Sequence, residues 1–388
     1  MKKKADEVIS ENGVKLRSFI SGRRKMRKLK ILALSDLHLG EPESALFNSG
    51  DLFNLIDITI KKIIELSKGD KEYKSGIEQL ILIGDIADLS VASDEEAYGN
   101  VKFFLTSLLD KVNIDKIIYI PGNHDHHLWV EILKKEYRKD NFRDCFPKIK
   151  VDSSILNKKI FIKNCLQNDC PAERIEIYYP NYRFETDTSF YFFDHGHLFA
   201  KALDKLTNAR KAKNLEDLEE KSYKFMENIW YKISRIRVIE IFFDLFRKIK
   251  LGFSESKSIK GTTFREDGKT LLDNYVREKV IWYLEEICGI KSEVEKDFHF
   301  IFGHTHHGGR LLKSDRKVRV NGRFISLWNT GGWIVPSEVF SPDACIFYVE
   351  QTQAGLKPDM YKLVSQEKPE DEGDYPRNIL RERVKHIG

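Results

Sequence analysis

The chain is poor in cysteine: five in 388 residues, at 145, 165, 170, 288 and 345. An odd, scattered set excludes a disulfide framework and fits reduced thiols. Cys165 and Cys170 lack the second pair that a thiolate zinc site needs. Long apolar runs are also missing, since no stretch reaches the ~18 residues of a membrane-spanning helix. The N-terminus is basic and polar, without the apolar segment of a secretory leader. These absences predict a cytoplasmic location, and the chain has no internal repeat. The body of the chain lacks excess basic charge. Residues 1–30 hold eleven Lys/Arg against three Asp/Glu, so a chain of net +5 leaves the rest at net −3. That balance argues against a nucleic-acid surface on the body. The leader, 1–28, is expected to be solvated or to make peripheral contact with an anionic membrane.

What is present is a globular composition, 41% apolar and 12% aromatic, in a chain long enough for a full core. Leu29–Leu34 reads as a buried strand that ends in Ser35-Asp36-Leu37-His38-Leu39-Gly40. A helix is expected at about Leu52–Leu66, then a strand at Gln79–Ile83 releasing Gly84-Asp85-Ile86-Ala87-Asp88. A second helix at about Glu95–Leu109 leads to a strand at Lys116–Ile120 and the loop Pro121-Gly122-Asn123-His124-Asp125-His126-His127. Strand–helix–strand–helix–strand predicts a mainly parallel sheet, with chemistry at the carboxyl ends of its strands. From Ile149 to Phe193 the pattern becomes strand-rich, with Lys159–Ile162, Arg174–Tyr178 and Ser189–Phe193 as candidates. The last runs into Asp194-His195-Gly196-His197. A strand at Asp297–Phe302 opens Gly303-His304-Thr305-His306-His307. A hairpin about Asn321-Gly322, the stretch Trp328–Trp333 and a strand near Ala344–Val349 follow.

Nine of the eleven histidines (38, 124, 126, 127, 195, 197, 304, 306, 307) lie at ends of these strands. Together with the carboxylates and the Asn123 amide they form a mixed nitrogen and oxygen donor set, suited to divalent cations and not to a thiolate zinc site. Two such ions suit in-line attack of water on phosphorus.

Asp-x-His, Gly-Asp-x-x-Asp, Gly-Asn-His-Asp, His-Gly-His and Gly-His-Thr-His occur in that order. In this the chain resembles the calcineurin-like metallophosphoesterase superfamily, over roughly 29–197 and 297–349. The resemblance implies an α/β fold, a two-sheet β-sandwich flanked by helices. It puts Asp36, His38 and His306 on one ion, and Asn123, His195 and His304 on the other, with Asp85 bridging. It makes His124 the proton donor and Asp125 the residue that orients it. Manganese is the first candidate for both ions, with iron, zinc or magnesium as alternatives. The expected activity is hydrolysis of a phosphodiester, phosphomonoester or pyrophosphate bond by metal-activated water, on a phosphorylated small-molecule, nucleotide- or lipid-linked substrate.

Within the superfamily, Asp88-Leu89-Ser90 replaces the Asp-Arg-Gly of protein phosphatases, which argues against a phosphoprotein substrate. Ser-Asp-Leu-His-Leu-Gly, the long insert and Asn-Thr-Gly-Gly-Trp are most similar to the UDP-2,3-diacylglucosamine pyrophosphatase-like branch. The best-known enzymes of that branch carry arginine where His124 stands. Mre11-like nucleases, acting on DNA or RNA, are the alternative reading, and a non-catalytic scaffold on the same fold is a further one.

The expected organisation is a leader (1–28), a catalytic core (29–197 and 297–350), a helical insert (198–296) and a charged tail (351–388). Within the insert, Ile229, Ile233, Ile236, Ile239, Phe243 and Phe246 fall near helical spacing. The stripe predicts either an insert that packs on itself or a lid whose apolar face shelters a greasy substrate or meets a membrane. Arg265, Arg277 and His197 are candidate substrate contacts.

Overall fold

The computed structural model describes residues 26–40, 44, 55–90, 92–130, 148–150, 174–199, 207–226, 276–290, 296–305, 309–310, 318–320, 323–333 and 344–363. His306, Arg265, the side chain of Arg277, the apolar stripe of the insert and most of the leader lie outside these residues, as does the strand expected at Lys159–Ile162.

Two sheets form the body. The first runs β13-β12-β1-β2-β3-β5-β4, from β1 (Arg27–Leu34), β2 (Lys74–Ile83), β3 (Ile114–Ile120), β4 (Lys148–Lys150), β5 (Ile175–Tyr178), β12 (Cys345–Thr352) and β13 (Gly355–Lys362). Its centre, β1-β2-β3-β5, is parallel, as the alternation of strands and helices dictates. The second runs β10-β11-β8-β7-β6, with β9 on β11. Its strands are β6 (Asn181–Glu185), β7 (Ser189–Asp194), β8 (Asp297–Phe302), β9 (Gly309–Arg310), β10 (Val318–Val320) and β11 (Arg323–Asn329). Here β7, β8 and β11 are parallel, and β10 and β11 pair antiparallel with Val320 opposite Arg323, while the turn expected at Asn321-Gly322 lies outside the described residues.

Period-two alternation decides which residues meet where. Ile31 and Ala33 of β1, Ile81 and Ile83 of β2, and Ile118 and Ile120 of β3 join Tyr191, Phe193, Ile301, Trp328 and Phe347 in one buried cluster between the sheets. The alternate residues, Leu32, Leu34, Leu80, Leu82 and Tyr119, pack against helices α1 (Leu55–Leu66) and α2 (Asp94–Leu109). Helix α2 starts at a Ser-x-x-Glu box, in which Ser93 accepts from the Glu96 amide at 3.2 Å. On the outer face of the second sheet, Phe192, Phe298, Phe300 and Phe302 pack against α3 (Leu215–Phe225) and a π-type helix (Val276–Ile287). The fold is therefore a two-sheet α/β sandwich flanked by helices. Among the described residues no helix is long and apolar enough to cross a membrane.

One boundary differs from the sequence reading. The charged tail does not begin at 351: Gly355–Lys362 is strand β13, paired along its length with β12. This edge strand leaves Lys357 and Lys362 exposed to water, and such charges disguise it. The described helices of the insert form the outer layer of the second sheet.

Candidate metal centre

The site lies where the loops after β1, β2, β3, β7 and β8 converge. Asp36, His38, Asp85 and His304 all adopt left-handed backbone, with φ of 51°, 46°, 51° and 65°. Such conformations are costly for residues with a Cβ and persist when the surroundings over-determine them. Here the surroundings are explicit. The Asp36 amide donates to Gly84 O at 3.0 Å, and the His38 amide to Asp85 O at 2.9 Å. The His304 amide donates to the Asp36 carboxylate at 2.9 and 3.0 Å, while the Trp333 amide holds Asp36 O at 3.0 Å. Asn329 reaches under the last loop, donating to Gly303 O at 3.1 Å and to Thr305 Oγ1 at 2.8 Å.

These constraints aim donor atoms at two neighbouring points. Asp36, His38 and Asp85 form one group, and Asp85, His195 and His304 another, each with ligand atoms within 4.8 Å of one another. Asp85 belongs to both. Its Oδ2 lies 3.8 Å from His38 Nε2 and 3.2 Å from His195 Nε2. The Asn123 amide oxygen is 3.1 Å from the same His195 nitrogen, beside the second group. His195 Nδ1 donates to Ile83 O at 3.0 Å, so Nε2, which faces Asp85 and Asn123, is the nitrogen a metal would take in place of its proton.

Glycines make room for this convergence. A Cβ on Gly122 would strike the Asp85 carboxylate, and one on Gly303 would strike Asp36 and the Ser35 hydroxyl. A Cβ on Gly84 would come within 2.5 Å of the His195 ring.

The electrostatics fit a cation. Burial acts to raise the Asp85 carboxyl, yet His195, His124 and His38 outweigh it and hold the group well below the usual range. For His195 burial acts downward, but the charges of Asp85 and Asp36 prevail and push it up to about 10. The pocket thus demands positive charge, and the donor set is that of a divalent ion.

His124 stands beside these two groups and not among the ligands at Asp85 Oδ2, although with His38 and Asp88 it makes a third cluster whose possible ligand atoms lie within 4.8 Å of one another. Its amide donates to Asp85 Oδ1 at 2.7 Å, and its Nδ1 meets Asp88 Oδ2 at 2.9 Å and Ser90 Oγ at 2.8 Å. The same Asp88 oxygen takes His38 Nδ1 at 3.1 Å. Burial acts to raise the Asp88 carboxyl, but His124 and His38 hold it well below the usual range, so it accepts from both rings. The His124 side chain keeps 19% exposure.

Asp125 does not orient His124, contrary to the sequence reading. Its carboxylate turns beneath the loop, where it accepts from the Ile86 amide at 2.9 Å, the Gly122 amide and the Tyr119 hydroxyl. It braces the backbone of the β2 and β3 loops, and Asp88 does the orienting. The spacing Gly-Asp-x-x-Asp carried that signal, and Ser90 carried none. His197 also departs from expectation. It is buried behind His195, with Nε2 3.3 Å from the Tyr179 hydroxyl, and is not presented to a substrate.

A sequence profile of the calcineurin-like phosphoesterase family matches residues 29–308. The chain belongs to the calcineurin-like phosphoesterase family. Membership in that family implies divalent metal binding, for which the two ligand groups supply the residues. Among solved structures the chain is similar to a conserved uncharacterized protein of Streptococcus pneumoniae TIGR4 described as a predicted phosphoesterase. The identity is 12% and the TM-score 0.27, over 87% of this chain and 91% of that one. A Vps29 single mutant from Entamoeba histolytica is similar at 9% identity and a TM-score of 0.26, over 86% of this phosphoesterase-family chain and 98% of the other. No curated protein matches the chain.

Proposed function

We propose that this phosphoesterase-family chain is a hydrolase with a binuclear metal centre, cleaving a phosphodiester, phosphomonoester or pyrophosphate bond. The observation that carries the reading is the Asp85 carboxylate, shared by two ligand groups through one oxygen near both His38 and His195. Asp36, His38 and Asp85 would hold one ion, joined by His306 on the family resemblance. Asp85, Asn123, His195 and His304 would hold the other. When bound, two divalent cations supply Lewis acidity that makes water nucleophilic near neutral pH and neutralises the phosphoryl oxygens.

The chain's own residues do the rest. Asp88 fixes His124 with Nδ1–H inward, so the proton at Nε2 is the one that can pass to a leaving oxygen. Asp125 and Tyr119 hold the loop on which Asn123 and His124 sit. Manganese is the proposed metal. A nucleotide- or lipid-linked substrate in the cytoplasm, at or near a membrane surface, is supported by the similarity of the motifs and insert to the UDP-2,3-diacylglucosamine pyrophosphatase-like branch, and Arg265 and Arg277 remain its proposed phosphate contacts.

A substrate panel tests the reading: aryl phosphate mono- and diesters, nucleotide-sugar pyrophosphates and single-stranded DNA, each with Mn²⁺ and with EDTA. Metal-dependent hydrolysis of at least one phosphate ester or pyrophosphate is expected. Absence of hydrolysis throughout, or turnover unaffected by EDTA, would overturn it.

A further inference from the structure

The ends of the insert reach the metal loops through buried polar contacts that the proposed chemistry does not use. Glu219, on α3, is buried and uses both carboxylate oxygens. One meets His126 Nε2 at 2.9 Å and the other accepts from the Tyr179 hydroxyl at 2.6 Å. A carboxylate offers only acceptors, so His126 must present Nε2–H to it. His126 lies three residues after Asn123 in the β3 loop, with its ring fully buried between Tyr179 at 5.7 Å and Tyr223 at 6.3 Å. Tyr179 in turn stacks on Trp129 at 4.7 Å. At the other end of the insert, Tyr283 of the π-type helix donates to Asp194, whose second oxygen accepts from the Gly196 amide at 2.7 Å. Asp194 and Gly196 flank His195.

The contacts join elements that would otherwise be set independently. Asn123 comes from the first sheet and His195 from the second, so their convergence depends on how the two sheets are held at this end. Helix α3 touches both. Leu218 packs among the phenylalanines of the second sheet, while its neighbour Glu219 bonds to residues following β3 and β5 of the first. Phe225 packs against the outer core of each sheet. Contacts that hold Asp36 and His38 include those from Ser35, Gly84, Asp85, Asp88, Trp333 and the His304 amide, which lie outside the insert.

We propose that the two described helices within the insert, α3 and the π-type helix, are a positioning clamp for the second metal position (Asp85, Asn123, His195, His304), acting through Glu219 and Tyr283. The clamp rests on the binuclear reading above and adds to it.

The test titrates the full-length wild type, Glu219→Ala, Glu219→Gln and Tyr283→Phe with Mn²⁺ alone, by calorimetry and by electron paramagnetic resonance. Wild type should bind two ions and show an exchange-coupled pair. Glu219→Ala and Tyr283→Phe should keep the first ion and weaken the second by roughly 10- to 100-fold, the size expected when a group that orients a metal ligand is lost. The coupled signal should give way to that of an isolated ion. Glu219→Gln, which still accepts from one donor, should fall between. Two tight ions in both Glu219→Ala and Tyr283→Phe would overturn the clamp, as would equal weakening of both ions alongside a fall in thermal stability. If Glu219→Ala does not fold, Tyr283→Phe, which removes one oxygen atom, decides alone. A wild type that binds no Mn²⁺ would instead overturn the binuclear reading, and the clamp with it.

Discussion

Asp88 Oδ2 lies 2.9 Å from His124 Nδ1, and the same oxygen lies 3.1 Å from Nδ1 of the proposed ligand His38. One buried carboxylate therefore fixes the tautomer of the proposed acid and of a metal ligand together. The two rings sit edge to face, with centroids 4.6 Å apart. Replacing Asp88 with Asn leaves an acceptor but removes the charge that makes each hydrogen bond strong. Turnover of Asp88→Asn should fall about 10- to 100-fold, and adding His124→Ala should cost less than the product of the two single effects. Steady-state kinetics of the double-mutant cycle checks this, and multiplicative losses would count against the shared role.

His124 is read as a proton donor, and its ring nitrogens take no part at the Asp85 oxygen shared by the ligand groups. His124→Ala should retain its metal while turnover falls by ~10²–10⁴-fold. Substrates with a nitrophenolate leaving group need less protonation and should lose less. Equal losses across leaving groups, measured at saturating Mn²⁺, would remove His124 from the acid's role.

Gly122 offers a steric test. A methyl group there meets the Asp85 carboxylate, the Asp85 amide at 2.8 Å and the His195 ring at 2.8 Å. Backbone and buried ring cannot yield as a surface side chain would, so Gly122→Ala should cost about 1–3 kcal/mol of stability and lower metal content. Thermal melts and metal analysis read both. A fully loaded, equally stable variant would show the loop to be looser than described.

The His195 imidazole, pushed up to about 10 chiefly against the cost of burial by Asp85 and Asp36, gives a pH signature. In the metal-free protein this raised group stabilises the fold fully below its unfolded value of about 6.5, and the contribution is lost as pH rises through about 10. A cation competes for the same nitrogen, so Mn²⁺ affinity should rise with pH, approaching tenfold per unit for one displaced proton. Calorimetry in buffers of different ionisation enthalpy should register proton release near neutrality. An affinity independent of pH would contradict the assignment of His195 as ligand.

Much of the site was legible because strands announce their carboxyl ends. The runs ending at Leu34, Ile83, Ile120, Phe193 and Phe302 are apolar, and polar donors follow each one. The parallel first sheet followed from the same alternation, and the two-sheet sandwich from the family resemblance. Strand β6 was missed because Asn181–Glu185 mixes polar and aromatic residues and is short. Strand β13 was missed because Gly355–Lys362 is an edge carrying lysines and a proline. Asp125 was misread for a different reason: adjacency in sequence says nothing about direction in a tight turn, and its side chain points away from the neighbouring ring. The burial of Glu219 was not visible at all, since an acidic residue in a charged helix reads as solvated until its partners His126 and Tyr179 are placed.

The most direct measurement is metal stoichiometry and turnover in Asp85→Asn. Asp85 is the one described residue common to the Asp36/His38 and His195/His304 ligand groups, so losing its charge should impair both ions at once. The account predicts that wild type binds two divalent ions per chain, and that Asp85→Asn binds at most one and loses its turnover. Two bound ions and near wild-type turnover in that variant would contradict it.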